Sequence, residues 1–417
     1  MRVLISAAGS HGDTLPFVGL GRALQQRGHD VRLYGNGLFS ALVSDAGLAF
    51  VETSDAQLAR DVLADRRATK SRAGMAMIAQ RGMATVMPTF SAMARDVLAG
   101  DTLLVGSSLA FAPRLLAEVQ RLPFAAVHLA PSIFRSDHLA PRMSPLGHFE
   151  HWPRAIKQAT WALMDRRFLD PAFGVPLNEL RTGLGLAPVR RVFDKWIHQA
   201  TVTVGMFPEW LAPRQPDWPA DLKLTGFPMY DGEQAGVLSP ELRAFIEAGP
   251  APVVFTAGTA NTTSERFYAE SAAACQRLDL RGILIAGQRS QLPGTLPPGA
   301  IHVPYASFSQ LFPFAAAVVH HGGIGTLSQA LQAGIPQLIR PMAYDQFDNA
   351  SRACRLGVAT ELLPRSYRGT RLDTALRGLF DNPAMRTACE RLAVRMQAHD
   401  GLRTTCEVLE EAMAAPA

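Results

Sequence analysis

The sequence predicts an α/β protein built from two doubly wound, Rossmann-like domains that face each other across a cleft, and three observations favour this fold class. The chain has 417 residues, more than one hydrophobic core usually serves, so two domains are expected. Strand, loop, helix and strand patterns follow one another in both halves. Between the halves, residues 206–235 contain five prolines and few periodic signals. We therefore predict an N-terminal domain over residues 1–205, a linker over 206–235 and a C-terminal domain over 236–417 that ends in a helix.

The first half begins with a complete strand, helix and strand unit. We predict a buried strand at RVLISAA, a turn at GSHGD, a helix at TLPFVGLGRALQQRG that ends at Gly28, and a second strand at HDVRLYG. Residues 102–130 predict a further strand, helix and strand. Because parallel strands with helical crossovers bind ligands at their carboxyl ends, we expect the GSHGD turn to lie in the ligand cleft.

The second half repeats the pattern. We predict a strand and loop at APVVFTAGTA, a strand at RGILIAG, and a strand, loop, helix and strand at AAAVVHHGGIGTLSQALQAGIPQLIRP. The chain closes with a predicted helix from Pro383 to Ala414. A second doubly wound domain is the expected result.

Composition narrows the classes of function. The net charge of +5 is spread along the chain without a basic block or a nucleic-acid motif, so nucleic acid is not an expected partner. The four cysteines lie far apart without a CxxC pair, which indicates free thiols in a reducing compartment. The polar GSHGD after the first apolar run does not continue a signal peptide, and no apolar run is long enough for a transmembrane helix. We therefore expect a cytoplasmic protein.

Two glycine-containing loops, GSHGDT and the loop at residues 322–325, indicate which class of ligand the fold is expected to bind. GSHGDT lacks the glycine spacing of a dinucleotide-binding loop, and neither loop has the lysine of a Walker A motif. The three glycines within residues 322–325 stand at a strand-to-helix turn, where backbone N–H groups can face a phosphate. Thr326 can add a hydroxyl, and His320 or His321 a ring N–H. The alternative is a tight turn that holds no ligand.

Two further loops are expected at the same edge of the second sheet. TAGT, residues 256–259, follows a predicted strand and can approach the same anion. DQFDN follows the predicted strand PQLIRP, so Asp345 and Gln346 can accept and donate hydrogen bonds to sugar hydroxyls. Alternatively, Asp345 is the N-cap of the helix beginning QFDNASRACRLG, and the two roles are compatible.

These motifs resemble those of a known family. The stretch from His321 to Thr326, closing on Asp345 and Gln346, is similar to the donor signature of inverting glycosyltransferases with the GT-B architecture, the UDP-glycosyltransferase-like family 1. Within that family, SHGDTLPFVGLGRAL, QPDWPADLKLTGFPMYDG and VVFTAGT resemble segments of the bacterial rhamnosyltransferases of rhamnolipid biosynthesis. The resemblance covers nearly the whole sequence, and the DWP and TGFP pieces of the linker point to the rhamnolipid branch.

The resemblance implies a donor site in the C-terminal domain. The donor diphosphate would be held by six residues at matching positions: Gly258, Thr259, His321, Gly323, Gly325 and Thr326. Asp345 and Gln346 would bind the sugar, and Tyr305 or Phe308 would stack on the nucleobase. Gln329 stands where plant relatives have a glutamate that binds both ribose hydroxyls, which agrees with the deoxyribose of a dTDP donor.

The same resemblance implies that the catalytic base lies in the GSHGDTLP loop. Asp13 stands three residues before Pro16, as the catalytic histidine of plant relatives stands before its proline, and in bacterial relatives with Gly-Asp here the aspartate resembles the base. Asp13 is therefore our first candidate and His11 the second, and either would take the acceptor proton, an effect of about 10²–10⁴-fold. The alternative for Asp13 is an N-cap of the following helix, which does not exclude catalysis.

Candidate acceptor residues lie within residues 73–97. Met83, Met87 and Phe90 fall on one helical face, and methionine can line an adaptable pocket for alkyl chains. The alternative is a core-facing helix kinked at Pro88.

A second aromatic and basic segment follows the first sheet. We expect it near an acceptor carboxylate, at a membrane surface, or as a solvated helix. Its residues of interest are Trp152, Trp161, Arg154, Lys157, Arg166 and Arg167.

The resemblance implies an inverting, metal-independent transferase that moves L-rhamnose from dTDP-L-rhamnose to the free hydroxyl of a 3-(3-hydroxyalkanoyloxy)alkanoic acid, giving monorhamnolipid. The nucleotide sugar is a co-substrate, and no metal or other cofactor is expected. A lipid acceptor implies a cytoplasmic enzyme with peripheral contact at the inner membrane. Three alternatives stay open: a glycosyltransferase acting on a polyketide, sterol or flavonoid hydroxyl, a nucleotide-sugar 2-epimerase, and a lipid-binding protein without catalysis.

Overall fold

The computed structural model describes residues 1–65, 67, 71–145, 149–232, 238–258 and 264–414. The chain forms two compact units. The N-terminal unit comprises Met1–Arg142, Leu146–Gly232 and Asp400–Ala417, and the C-terminal unit comprises Met143–Pro145 and Glu233–His399. Each unit contains one parallel sheet, so the predicted pair of Rossmann-like domains is confirmed.

The N-terminal sheet consists, in the described residues, of the parallel strands β1 (Arg2–Ser6), β2 (Asp30–Asn36), β3 (Ala49–Ser54), β4 (Thr102–Gly106), β5 (Phe124–His128), β6 (Val202–Gly205) and β7 (Lys223–Leu224). Their order across the sheet is β3-β2-β1-β4-β5-β6-β7. Every residue of β4 and β5 is buried, as expected for strands covered on both faces.

The helices described between these strands are α1 (His11–Gln26), α2 (Ser40–Asp45), α3 (Ala56–Ala64), α4 (Ser71–Ala84), α5 (Val86–Arg95), α6 (Phe111–Gln120), α7 (Arg154–Met164) and α8 (Val175–Gly183). A π-helix, Asp165–Gly174, joins α7 to α8. α1 begins three residues earlier than predicted because Ser10 and Asp13 cap its first turn. The break in the Met-rich segment lies at Thr85, between α4 and α5, and not at Pro88, because proline is tolerated in the first turn of α5.

The C-terminal sheet consists, in the described residues, of the parallel strands β8 (Val253–Thr256), β9 (Gly282–Ile285), β10 (Ala300–Val303), β11 (Ala317–His320), β12 (Gln337–Ile339) and β13 (Ala359–Glu361). Their order is β10-β9-β8-β11-β12-β13. The helices of this unit are α9 (Pro240–Glu247), α10 (Glu265–Leu278), α11 (Phe308–Leu311), α12 (Ile324–Ala333), α13 (Gln346–Arg355), α14 (Gly369–Phe380) and α15 (Pro383–Gln397).

The end of the chain differs from the prediction. The expected single helix is divided into α15 and α16 (Gly401–Ala414), and residues 400–417 belong to the N-terminal unit instead of the C-terminal domain. The apolar face of α16 is the reason, since Cys406 and Leu409 are fully buried in the cluster that contains Val3 and Ile5. Periodicity predicts such a face but not the sheet against which it packs.

The proline-rich segment also differs from a free linker. Residues 206–232 belong to the N-terminal unit, where β7 pairs with β6. Residues 233–235 of the predicted linker lie outside the described residues. Proline limits helix formation but does not prevent a chain from packing as irregular structure at a sheet edge.

Candidate functional site

The carboxyl ends of β1 and β4 meet in the N-terminal unit, and their loops are joined by hydrogen bonds. The Ser107 N–H donates to the Ser6 carbonyl over 3.1 Å, and the Ser107 hydroxyl accepts from the Ala8 N–H at the same distance. The loop after β1 leads directly into α1. Both base candidates, His11 and Asp13, therefore lie in the first turn of α1 at the carboxyl edge of the sheet.

Asp13 is not the N-cap of α1, which is Ser10, but the third residue of the helix, where it forms a capping box with Ser10 and keeps an exposed carboxylate. Its Oδ2 accepts hydrogen bonds from Ser10 N at 2.7 Å and from Ser10 Oγ at 2.9 Å. Its Oδ1 has no hydrogen bond within the described parts of the chain, and the residue is exposed. Gly9, at φ +140°, leaves room for this arrangement, because an added Cβ would overlap the Asp13 carboxylate. Capping thus leaves one oxygen open to a ligand.

The surrounding protein shifts the pKa values of both candidates in the direction that favours their uncharged forms. The Asp13 carboxylate is accessible to solvent but has protein around it, and this partial desolvation raises the pKa of its carboxyl, while the two hydrogen bonds from Ser10 oppose that rise. Burial lowers the pKa of His11, and the negative charge of Asp231 opposes that change. A raised pKa makes Asp13 a stronger base than an ordinary aspartate.

A row of three hydrogen-bonded side chains at the same edge was not predicted from the sequence. Ser108 Oγ lies 2.8 Å from His128 Nδ1, and His128 Nε2 lies 3.3 Å from His198 Nδ1. Burial holds the pKa of His128 well below its ordinary value and lowers the pKa of His198 to about 3, so both rings are neutral at pH 7.

The proton positions in this row follow from a fourth contact. His198 bonds the Ile133 carbonyl, which uses its one ring proton. We infer that His128 donates to His198 and that Ser108 donates to His128. The Ser108 oxygen therefore keeps its lone pairs for a ligand.

The predicted acceptor residues lie on α4 and α5. Met83 and Phe90 are partly buried and pack against an apolar cluster that includes Phe111 and Trp196, and Met87 is partly buried. Met83 and Phe90 thus contribute to the core, as the alternative interpretation expected. Packing does not prevent a partly exposed edge from touching an acceptor.

In the C-terminal unit, the two histidines after β11 differ in role. His320 is fully buried, its Nε2 lies 3.0 Å from Gln337 Oε1, and its Nδ1 accepts from the Gly322 N–H at 3.2 Å. Burial lowers the pKa of His320 to about 3. The neutral ring thus holds the turn together and has no N–H left for a phosphate, which removes His320 from the anion-site candidates.

His321 lies between the two glycine loops. A Cβ added at Gly258 would overlap its ring, and one added at Gly323 would lie 2.5 Å from its Nε2. Burial lowers the pKa of His321 to about 4, and its Nδ1 is buried without a hydrogen-bond partner among the described residues. Because a buried N–H without an acceptor is costly, we place the ring proton on Nε2, beside the start of α12.

The residues predicted to bind an anion lie at the start of α12. Gly323 is its N-cap, and the backbone N–H groups of the first turn have no partner within the helix. Gly325 is exposed, while Thr326 and Gln329 are nearly buried on the first two turns. Thr259, also predicted here, lies outside the described residues.

The Asp-Gln pair stands after β12, at the start of α13. Asp345 makes no side-chain capping bond to this helix, and its Oδ2 accepts from Asn349 Nδ2 at 2.7 Å. Asn349 also donates to the Gly322 carbonyl at 2.9 Å, which connects the pair to the glycine loop. Gln346 Oε1 accepts from two backbone N–H groups, those of Met342 and Ala343, and these bonds leave its amide nitrogen unused.

The two nucleobase candidates lie near α11. Tyr305 is 57% exposed. Phe308 stacks on Phe312, with ring centroids 4.6 Å apart and an interplanar angle of 11°. One face of Phe308 is therefore used for packing, and Tyr305 is the better placed ring for stacking on a base.

Two properties of the described residues bear on the chemistry. They contain no group of three His, Cys, Asp or Glu side chains that could hold a metal ion. None of their helices has both the length and the apolar character needed to cross a membrane.

Known proteins are similar to the sequence over most of its length. Residues 3–136 match the N-terminal domain of glycosyltransferase family 28, and residues 272–412 match the C-terminal domain of proteins like erythromycin biosynthesis protein CIII. The chain is 30% identical over 376 residues to glycosyltransferase GtfC of Amycolatopsis orientalis, which covers 87% of this chain and 86% of that protein. It is 28% identical over 430 aligned positions to O-mycaminosyltylonolide 6-deoxyallosyltransferase of Streptomyces fradiae, with 99% and 97% covered.

Solved structures share the fold. The glycotransferase of kitacinnamycin has a TM-score of 0.78 at 19% identity, with 99% of both chains covered. Glycosyltransferase VinC in complex with dTDP has a TM-score of 0.69 at 23% identity, covering 99% of this chain and 100% of that one. At these identities the similarity concerns the fold alone.

Proposed function

The protein belongs to the GT-B glycosyltransferases, and we propose that it transfers L-rhamnose from dTDP-L-rhamnose to the free hydroxyl of a 3-(3-hydroxyalkanoyloxy)alkanoic acid. The observation that carries the transfer chemistry is the Asp13 carboxylate, of which Ser10 engages one oxygen and leaves the other open. A group held this way has a fixed orientation and a free acceptor atom, the two properties that a general base needs.

The proposed reaction is a single displacement. The acceptor hydroxyl gives its proton to Asp13 Oδ1 while its oxygen bonds to the anomeric carbon. The bond from that carbon to the diphosphate oxygen breaks, its electron pair leaves with dTDP, and the configuration inverts. The raised pKa of Asp13 brings the base closer to the acidity of the hydroxyl in the transition state.

The departing diphosphate would bind at the start of α12. Its negative charge is complemented by the positive end of the helix and by backbone N–H groups. His321 Nε2–H would donate to the same group, and its neutral ring does so without a change of charge. Gly258 and Gly323 allow the approach because neither has a Cβ to displace the ring.

The sugar and base would be held by neighbouring loops. The Gln346 amide nitrogen and the Asp345 carboxylate would bind sugar hydroxyls, and Tyr305 would stack on thymine. Gln329 would meet the deoxyribose. In the N-terminal unit, the Ser108 side chain would contact the lipid acceptor.

The choice of donor has two supports. The Streptomyces fradiae relative is named a 6-deoxyallosyltransferase, and its sugar, like rhamnose, is a 6-deoxyhexose. VinC, which shares the fold, is named in complex with dTDP. The choice of a lipid acceptor is based on the segments in the N-terminal half and before β8 that resemble rhamnosyltransferases of rhamnolipid biosynthesis.

A second candidate keeps the donor class and changes the acceptor to a polyketide hydroxyl. The name of the Streptomyces fradiae relative, which refers to a glycosylated tylonolide as acceptor, favours this candidate. The reaction and the residues would be the same, because only the surface that receives the acceptor differs.

The test offers dTDP-L-rhamnose to the full chain with 3-(3-hydroxydecanoyloxy)decanoate, with O-mycaminosyltylonolide, or with no acceptor. The measurements are dTDP release and product mass. We expect release that requires the lipid and a product heavier by one deoxyhexose. Turnover with the macrolide alone would replace the lipid by the second candidate, and conversion of donor without any acceptor would indicate an epimerase.

A further inference from the structure

The solvent-facing side of α7 is mostly apolar, the reverse of an ordinary surface helix. Apart from Arg154 and Gln158, its exposed side chains are apolar: Ala155, Ile156, Ala159, Ala162 and Leu163. Trp152, just before the helix, is also exposed. We call these six apolar residues the α7 face. Exposed fractions of 47% for Trp152, 47% for Ile156 and 56% for Leu163 show that large side chains stand in solvent.

The orientation of α7 is fixed by polar contacts on its buried side. Lys157 is buried, and its Nζ donates to the carbonyls of Asp137 at 3.2 Å and His138 at 2.9 Å. Trp161 is buried beneath the Arg135 guanidinium, whose carbon lies 4.9 Å from the ring centroid. Rolling the helix to hide its apolar side would break these bonds and leave a buried charge without partners. The α7 face is therefore held outward.

Exposed arginines flank the α7 face at both ends of the helix. Arg154, Arg166 and Arg167 are exposed, and their side chains form no hydrogen bond or ion pair in the described parts of the chain. Among the carboxylates close to α7, that of Asp165 is buried and lies 2.8 Å from Arg135, and that of Asp137 accepts a hydrogen bond from Gln158 Nε2 at 2.6 Å. The three arginines thus keep their charge available to an anionic partner.

We propose that the α7 face docks on a membrane surface that carries anionic phospholipid headgroups. Trp152, Ile156 and Leu163 would enter the interface between headgroups and acyl chains, and the arginines would lie at the phosphates. Tryptophan prefers this depth, and a helix that lies in the interface needs no spanning length.

Charge argues against a second copy of the chain as the occupant. A twofold contact would place the same surface on both partners, so the arginines of one copy would face those of the other. Like charges at an interface are unfavourable, whereas an anionic headgroup layer complements them. This docking goes beyond the proposed reaction and is measured without donor or acceptor, so either can fail while the other stands.

The test is sedimentation of the full chain with vesicles of phosphatidylcholine alone or mixed with phosphatidylglycerol. We expect binding to the mixed vesicles that weakens with added salt. Ile156→Gln and Leu163→Gln should each weaken binding by about tenfold or more, because each removes a large apolar group from the interface. Arg166→Glu and Arg167→Glu should each reduce the preference for phosphatidylglycerol by roughly fivefold or more.

Matched controls come from α15, where Val394 is 67% exposed and Arg391 is exposed. Val394→Gln and Arg391→Glu make the same chemical changes away from the α7 face and should leave vesicle binding unchanged. Melting curves confirm that each variant is folded. Absence of binding by the wild type, equal losses in the α15 controls, or an Ile156→Gln change seen only in the oligomeric state would each overturn the proposal.

Discussion

Ser10 donates two hydrogen bonds to a single oxygen of Asp13, from its N at 2.7 Å and from its Oγ at 2.9 Å. The pair closes the first turn of α1 and at the same time orients a carboxylate whose other oxygen is open. Oδ2 of Asp13 therefore stabilises the start of the helix, and Oδ1 is available for the proposed proton transfer. A substitution can separate these two roles.

Asp13→Asn is the substitution that separates them. The amide oxygen can still accept from Ser10, so the cap is kept, but the group can no longer take a proton. We expect kcat to fall by about 10²–10⁴-fold with little change in melting temperature, measured by dTDP release and calorimetry. His11→Ala should cost much less, and a larger loss for His11→Ala than for Asp13→Asn would assign the base to His11.

The pH dependence of kcat/KM should report the Asp13 carboxyl. Desolvation raises its pKa, so the active, deprotonated form is present above that value and is lost as the pH falls through it. The hydrogen bond from the Ser10 hydroxyl lowers the pKa and is lost in Ser10→Ala, so this substitution should move the acidic limb of the profile to higher pH. A limb that stays in place in Ser10→Ala would show that another group controls it.

Donor affinity should depend on the contact between Gly258 and His321. Gly258→Ala would push a Cβ into the imidazole ring at a backbone φ of +82°, and His321→Ala would remove the N–H donor. We expect each to weaken dTDP binding by roughly tenfold or more in calorimetric titration, since hydrogen bonds to charged groups contribute about 1.5–3 kcal/mol. Gly378→Ala, at a glycine on α14 with open space around it, is the matched control and should bind dTDP like the wild type.

Substitutions in the row of Ser108, His128 and His198 should weaken binding of the acceptor and leave binding of the donor unchanged. Ser108→Ala removes the proposed acceptor contact, and His128→Phe removes the ring that orients it. We expect a severalfold higher acceptor KM for Ser108→Ala with an unchanged dTDP affinity, measured by steady-state kinetics and titration. An equal acceptor KM in Ser108→Ala and wild type would remove Ser108 from the site.

Local patterns were sufficient to predict much of the fold and part of the candidate site. The strands before α1 and α12 are short apolar runs, and the glycine loop with His321 lies within a few residues of the strand end. The pairing of Asp13 with Ser10 also depends on residues three apart, although Ser10 and not Asp13 is the N-cap. Features of this kind depend on neighbours in sequence, which is why their positions agree with the structure.

Features that depend on distant residues could not be predicted. Ser108, His128 and His198 stand on separate strands and loops, and no spacing rule connects them. The burial of Lys157 is equally non-local, because its partners are carbonyls about twenty residues earlier. The placement of α16 belongs to the same class, since Thr405 bonds Thr225 across 180 residues.

That placement of α16 can be tested at its first residue, Gly401. A Cβ added there would lie 2.7 Å from the Gly226 carbonyl carbon and would overlap the Phe227 carbonyl oxygen, both backbone atoms that side-chain movement cannot clear. We therefore expect Gly401→Ala to destabilise the protein by about 1–3 kcal/mol, the usual cost of overpacking, and to lower the melting temperature. Gly378→Ala, exposed on α14, should instead be neutral or stabilising by up to about 1 kcal/mol, because alanine favours the helix. Equal melting temperatures for Gly401→Ala and wild type would contradict the docking of α16 against residues 226–227, and with it the assignment of the C-terminal helix to the N-terminal unit.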